Sequence, residues 1–100
     1  MSQVELCLKL LREVQVLCQQ DIPFARKVQI YTKVRETLNL LEALMGQSAS
    51  RQAREQLEQL KLSFGALLGV GNKINTTKDH LLAVADQALR IIGADYQVSA

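Results

Sequence analysis

One proline and a few glycines interrupt a sequence that otherwise repeats its apolar residues every three or four positions. This spacing places apolar side chains on one face of an α-helix. Proline inside a helix removes a backbone hydrogen bond and clashes with the preceding turn, and glycine commonly ends a helix. The interruptions at Pro23, Gly46, residues 69–71 and Gly93 therefore predict four helices, at about 3–20, 23–45, 50–68 and 77–92.

The first predicted helix has an unusually wide apolar surface. Ser2 and Glu5 have the spacing of a capping box, so the helix is expected to begin at about residue 3. At 100° per residue, the apolar positions from Val4 to Cys18 cover roughly 200° of the circumference. A single neighbouring helix cannot cover an arc of that width.

The other three helices show narrower apolar stripes. Residues 46–50 form a short polar connector with serines that can cap the third helix, and such a length favours an antiparallel hairpin. The third helix has charged pairs such as Arg51 and Glu55 opposite its stripe, which is typical of a solvated face. Thr76 or Thr77 is expected to begin the fourth helix.

The composition supports an all-α fold. Of the 100 residues, 48% are hydrophobic but only 4% are aromatic, so the core must consist mainly of aliphatic side chains. Five glycines and one proline are too few for the many turns of an all-β domain. We therefore predict a single domain over residues 1–100, a small four-helix domain in which the second and third helices form a central antiparallel hairpin. The tail 94–100 shows no pattern.

Charge and hydropathy exclude some classes of protein. The net charge of +2 is too balanced for a chain dominated by nucleic-acid contacts. Charged residues, among them Glu5 and Lys9, interrupt the apolar start, which argues against a signal peptide or a membrane span. A cytoplasmic protein is the expectation.

The glycine-rich stretch GALLGVGNKINTT, residues 65–77, has the residue types of a phosphate-binding loop but not its order. A P-loop places lysine directly after glycine, whereas Lys73 follows Asn72. A P-loop also follows a β-strand, and this stretch follows a predicted helix. The glycines therefore indicate a helix end, and Gly65, inside the third helix, indicates close helix packing.

No pattern in the sequence indicates catalysis, a cofactor or a metal. Cys7 and Cys18 lie about 16 Å apart along one helix, too far for a disulfide, and are expected to be core residues. His80 is the only histidine and has no second ligand of its kind. Ser63 and Asp86 do not form a recognisable catalytic set with it. We predict a protein that is not an enzyme, with no catalytic, cofactor-binding or metal-binding residue.

A basic stretch on the second helix supplies an alternative hypothesis. Between Asp21 and Glu36 no acidic residue occurs. Four cations in this stretch could contact nucleic-acid phosphates, and they are Arg26, Lys27, Lys33 and Arg35. Nucleic-acid binding through this patch is therefore kept as the second candidate function.

The principal hypothesis follows from the wide apolar arc of the first helix. Unless the other helices surround it, part of this arc needs a partner. We predict a protein–protein interaction or oligomerisation module, most simply a symmetric homodimer. The predicted interface residues are Leu6, Leu10, Val16 and Leu17. The competing interpretation is that the first helix is central in the bundle and contacts all three others.

Overall fold

The computed structural model describes residues 2–46, 49–69 and 77–96. These residues form four helices: α1 (Gln3–Leu17), α2 (Phe24–Met45), α3 (Arg51–Leu67) and α4 (Lys78–Asp95). No β-strand occurs in the described ranges. The prediction of an all-α, four-helix domain is confirmed.

Hydroxyl side chains begin three of the helices. The side-chain oxygens of Ser2, Ser50 and Thr77 each accept the backbone N–H three residues later, at 3.2, 3.1 and 3.2 Å. Each cap satisfies one of the amides that a helix start leaves unpaired, which is worth roughly 1 kcal/mol. The Ser2 cap agrees with the spacing of Ser2 and Glu5, and Thr76 lies outside the described residues.

Glycine follows the ends of α2 and α3 but does not end α4. Gly46 and Gly69 have φ values of 54° and 71°, which favour glycine because they crowd a Cβ atom. At the end of α4, the helix continues past the predicted boundary at residue 92 to Asp95, and Gly93 is buried within it. Helix α1 ends at Leu17, three residues earlier than predicted, and a turn leads from it to Pro23.

The helices form a ring in which each packs against two neighbours, in the order α1, α2, α3, α4 and back to α1. Among the described residues, the diagonal pairs do not approach within 8 Å between Cα atoms. Glu42 of α2 pairs with Lys61, and the Gly46 carbonyl accepts from Arg54. Residues later along the α2 segment therefore pair with residues earlier in α3, so these two helices run antiparallel, as predicted.

The most extensive packing lies between α3 and α4 rather than within the α2–α3 hairpin. Small buried residues occur on both helices, among them Ser63 on α3 and Ala85 and Ala88 on α4. Small side chains let the two helix axes approach closely, so a larger area of each helix is in contact with the other. Helices α2 and α3 make the least extensive contact of the four neighbouring pairs.

The core lies along the axis of the ring and is almost entirely aliphatic. Each helix supplies at least one large side chain with no exposed surface, as do Leu11, Leu41, Leu60 and Leu89. Phe64 on α3 is the largest fully buried side chain. No buried side-chain nitrogen or oxygen in the described residues lacks a hydrogen-bond partner. Apolar burial therefore supplies most of the stability of this fold.

The central position of Phe64 predicts a large cost for its truncation. Phe64→Ala should lower the free energy of unfolding by about 3–5 kcal/mol, because it leaves a cavity in the shared core. Leu62→Ala, which changes an exposed leucine two residues away on the same helix, should change it by about 0.5 kcal/mol or less. Urea unfolding followed by circular dichroism measures both. Similar losses in the two variants would contradict this description of the core.

Candidate functional site

The outer side of α1 leaves leucine side chains open to solvent. Leu6 is 51% exposed and Leu17 is 37% exposed, and Leu10 between them is half-buried against the core. At 100° per residue, these three positions fall within about 40° of one another around the helix. Three of the four predicted interface residues therefore form one stripe along α1.

The opposite flank of α1 is covered by α4. Gln15 Nε2 donates to the carbonyl oxygen of Leu82 at 3.2 Å, and the Arg12 guanidinium lies 3.7 Å from the Asp86 carboxylate. The positions of Gln15 and Arg12 on the helix are more than about 120° from the leucine stripe. The stripe therefore lies on the flank of α1 that is turned towards α2.

Helix α2 adds a leucine that the sequence analysis missed. Leu40 is 47% exposed and follows the buried Thr37 by three residues. Helix α1 runs antiparallel to α4, and the end of α4 lies at the end of α2, where the Tyr96 hydroxyl donates to the Met45 carbonyl. Helices α1 and α2 are therefore antiparallel, and Leu40 lies at the same end of the pair as Leu6. Its position outside the stripe of buried residues 34, 38, 41 and 45 was the available signal in the sequence. We call Leu6, Leu10, Leu17 and Leu40 the leucine face.

Val16, the fourth predicted interface residue, points elsewhere. It is 57% exposed, and it lies about 100° around the helix from Leu17. Charged residues occupy the neighbouring positions on that side, including Lys9 and Arg12. The structure therefore brings Leu6, Leu10 and Leu17 together but does not bring Val16 to them.

Helix α1 is not central in the bundle. It packs against α2 and α4, and within the described residues its Cα atoms do not approach those of α3 to 8 Å. Its buried side chains, Cys7, Leu8, Leu11 and Val14, face the ring axis. The remaining part of the wide apolar arc is the leucine stripe, which its own chain leaves partly uncovered.

The four cations predicted as a nucleic-acid patch lie on different sides of α2. Arg26 and Lys33 are exposed and seven residues apart, so they share one side of the helix. Lys27 is half-buried near Cys18, and Arg35 lines a cleft between α2 and α3. Only Arg26 and Lys33 form a common surface.

The cleft between α2 and α3 has a volume of about 210 Å³ and is open on one side. Its base contains two side chains that are almost fully buried, Leu38 and Phe64. Its lining residues are Tyr31, Arg35, Leu38, Asn39, Lys61 and Phe64. Arg35 was predicted on a different surface, and no sequence pattern grouped it with the other five residues.

The two cations of this cleft are in different electrostatic states. Lys61 Nζ contacts Glu42 and lies 3.4 Å from Glu58, and its hydrogen bond to Glu42 raises the pKa of the lysine above its ordinary value. Arg35 makes no ion pair with any carboxylate in the described part of the chain. The Arg35 guanidinium is therefore the cation that is open to an added anion.

The residues considered for redox, metal or catalytic chemistry lie apart. Cys7 and Cys18 are free and buried. His80 is exposed in the first turn of α4, whereas Ser63 is buried in α3 and Asp86 pairs with Arg12 and Arg90. Within residues 2–46, 49–69 and 77–96, no group of three or more His, Cys, Asp or Glu side chains could hold a metal ion.

Part of the glycine-rich stretch can be placed. Gly65 is buried within α3, and Gly69 follows the helix with a positive φ, as its assignment to a helix end requires. Residues 70–76, which include Gly71 and Lys73, lie outside the described residues, as do residues 97–100 of the tail.

None of the helices in the described ranges has the length and unbroken apolar character needed to cross a bilayer.

Comparisons of this chain with protein-family models, with curated proteins and with solved structures found no match. Function is therefore inferred from two surfaces of the structure, the leucine face and the α2–α3 cleft.

The buried cysteines predict a loss of stability at alkaline pH. Burial raises the pKa of the Cys7 and Cys18 thiols, and for Cys18 this outweighs the opposite effects of Lys78 and Lys27. An unfolded thiol ionises at about pH 8.5. Because the folded chain holds these protons more tightly, their contribution is complete below that pH and is lost as the pH rises from there through the raised pKa values of the folded thiols.

Urea unfolding between pH 7 and pH 10 checks this expectation. The free energy of unfolding should fall more steeply in the natural chain than in the double variant Cys7→Ala, Cys18→Ala, which keeps every other titrating group. Equal slopes would show that the thiols do not contribute. Ellman's reagent should also react slowly with the folded chain at pH 8 and quickly in urea.

Proposed function

We propose that this chain is a non-enzymatic protein–protein interaction module that forms a symmetric homodimer through the leucine face. The single observation that carries the proposal is the partial exposure of Leu6, Leu17 and Leu40 on one side of the α1–α2 pair. Scattered exposed leucines are common, but leucines grouped on one face are typical of an interface. Leu10 extends this face into the core beneath it.

The polar residues beside the leucine face have charges that suit a two-fold axis. Glu13 is exposed next to the stripe on α1, and Lys33 is exposed seven residues before Leu40 on α2. In a symmetric dimer each surface meets its own copy, so Glu13 of one copy can meet Lys33 of the other. Opposite charges at the rim would also fix the relative orientation of the two copies.

The leucines alone would supply only the centre of such an interface. A stable interface buries about 800 Å² on each partner, with an apolar centre and a polar rim. The exposed polar residues of α1 and α2 around the leucine face would provide that rim.

Two free cysteines in the chain fit a reducing compartment, and we propose a cytoplasmic location on that basis.

Disruption of the leucine face should produce a monomer. The natural chain should sediment at micromolar concentration with twice its mass of 11.2 kDa. The double variant Leu6→Asp, Leu17→Asp should weaken the dimer by at least about tenfold, because each aspartate would need to be desolvated at the apolar centre. Both positions are exposed, so the fold should tolerate the changes.

Leu62→Asp provides a matched control. Leu62 is 54% exposed on the outer side of α3, away from the leucine face. This variant introduces the same charge and should leave the dimer intact. A natural chain that stays monomeric at 100 μM, or a Leu62→Asp variant that dissociates as readily as the double variant, would refute the proposed interface.

Nucleic-acid binding is the alternative function, and one observation favours it. Arg26 and Lys33 are exposed on one side of α2, and neither makes an ion pair within the described residues. The alternative is weaker than the dimer proposal because two cations per chain make few phosphate contacts.

A salt titration distinguishes the two functions. If the alternative holds, fluorescence anisotropy with a labelled DNA or RNA oligonucleotide should show binding that weakens steeply between 50 and 200 mM salt. Arg26→Glu combined with Lys33→Glu should abolish that binding, and Arg51→Glu, on α3, should leave most of it. Absent or salt-insensitive binding would remove nucleic acid as a candidate.

A further inference from the structure

The cleft between α2 and α3 has features of a small-ligand site, and it does not belong to the leucine face. It lies on the flank of α2 that faces α3, whereas Leu40 lies on the flank that faces α1. We propose that this cleft binds a small monocarboxylate with a compact apolar body, such as a simple arylacetate. This inference does not depend on the proposed dimer.

The polar wall of the cleft is a row of donors on one side of α2. Tyr31, Arg35 and Asn39 are spaced four residues apart and all line the cleft. A phenol hydroxyl, a guanidinium and a side-chain amide can each donate a hydrogen bond to an oxygen of the ligand. The guanidinium in the middle of the row can hold both oxygens of a carboxylate in a bidentate pair.

The charges around the cleft favour one negative charge on the ligand rather than two. Arg35 has no carboxylate partner in the described ranges, whereas Lys61 is already paired with Glu42 and Glu58. A dianion such as phosphate would place its second charge near these two glutamates and be repelled. A monoanion seated on Arg35 brings no second charge near these glutamates. It neutralises the one cation among the described lining residues that has no carboxylate partner.

The size and the base of the cleft define the rest of the ligand. An enclosed apolar cavity of about 150 Å³ can hold benzene. This cleft, at about 210 Å³, has space for a ring of that size and a short acidic arm. Leu38 and Phe64 close the bottom of the cleft but are at most 5% exposed, so the half-buried ring of Tyr31 supplies the apolar wall for the ligand. An open cleft of this size should bind weakly, with a dissociation constant on the order of millimolar.

The test is an NMR titration of the ¹⁵N-labelled chain with sodium phenylacetate. Saturable shifts should centre on the amides of Tyr31, Asn39, Lys61 and Phe64. Phenylacetamide, which has the same shape without the charge, should bind at least about tenfold more weakly, the loss expected for one charge-assisted hydrogen bond. Inorganic phosphate should also bind at least about tenfold more weakly because it lacks the apolar ring and carries a second charge.

Two variants separate recognition from general charge effects. Arg35→Gln should weaken phenylacetate binding by about tenfold, whereas Arg51→Gln, which removes an exposed arginine at the start of α3, should change it by less than about twofold. Both arginines are exposed, and unchanged melting temperatures would verify both folds. The inference is overturned if no saturable shift occurs, if phenylacetamide or phosphate binds as well as phenylacetate, or if the two variants behave alike.

Discussion

The structure depends on the burial of four apolar helix faces against one another. No single helix can bury its own apolar stripe, so each stripe must pack against other helices. In the ring order, all four apolar stripes face the same central axis. Leu11, Leu41, Leu60 and Leu89 each come from a different helix and are all without exposed surface. Truncation of any one of these leucines should therefore destabilise the whole domain, because the close-packed core cannot relax fully around a cavity.

Polar contacts around this core determine the register of the helices but add little to the stability of the fold. Gln15 and Arg12 tie α1 to α4, and Lys61 ties α3 to α2. These groups are at least partly exposed, and surface ion pairs contribute about 0–1 kcal/mol each. Their main effect is directional, since they are satisfied only when the helices lie in the observed antiparallel order.

Helix α2 separates the two candidate surfaces. Its α1-facing flank carries Leu40 of the leucine face, and its α3-facing flank carries Arg35 in the cleft. The cleft exists because α2 and α3 pack least extensively, while small residues such as Ala88 let α3 and α4 pack closely. A ligand in the cleft would contact both α2 and α3, so its binding energy would add to the weakest side of the ring.

The sequence alone determined that the chain forms four helices and roughly where they lie, because caps and apolar spacing are local properties. The caps at Ser2 and Ser50 and the turn at Gly46 could be predicted from their neighbours along the chain. Only the tertiary structure decided which helices pack most closely, that Leu40 joins Leu6 and Val16 does not, and that Arg35 shares a cleft with Lys61. Those outcomes depend on the relative positions of residues that are distant in sequence, and the helical repeat of the apolar residues does not specify these positions.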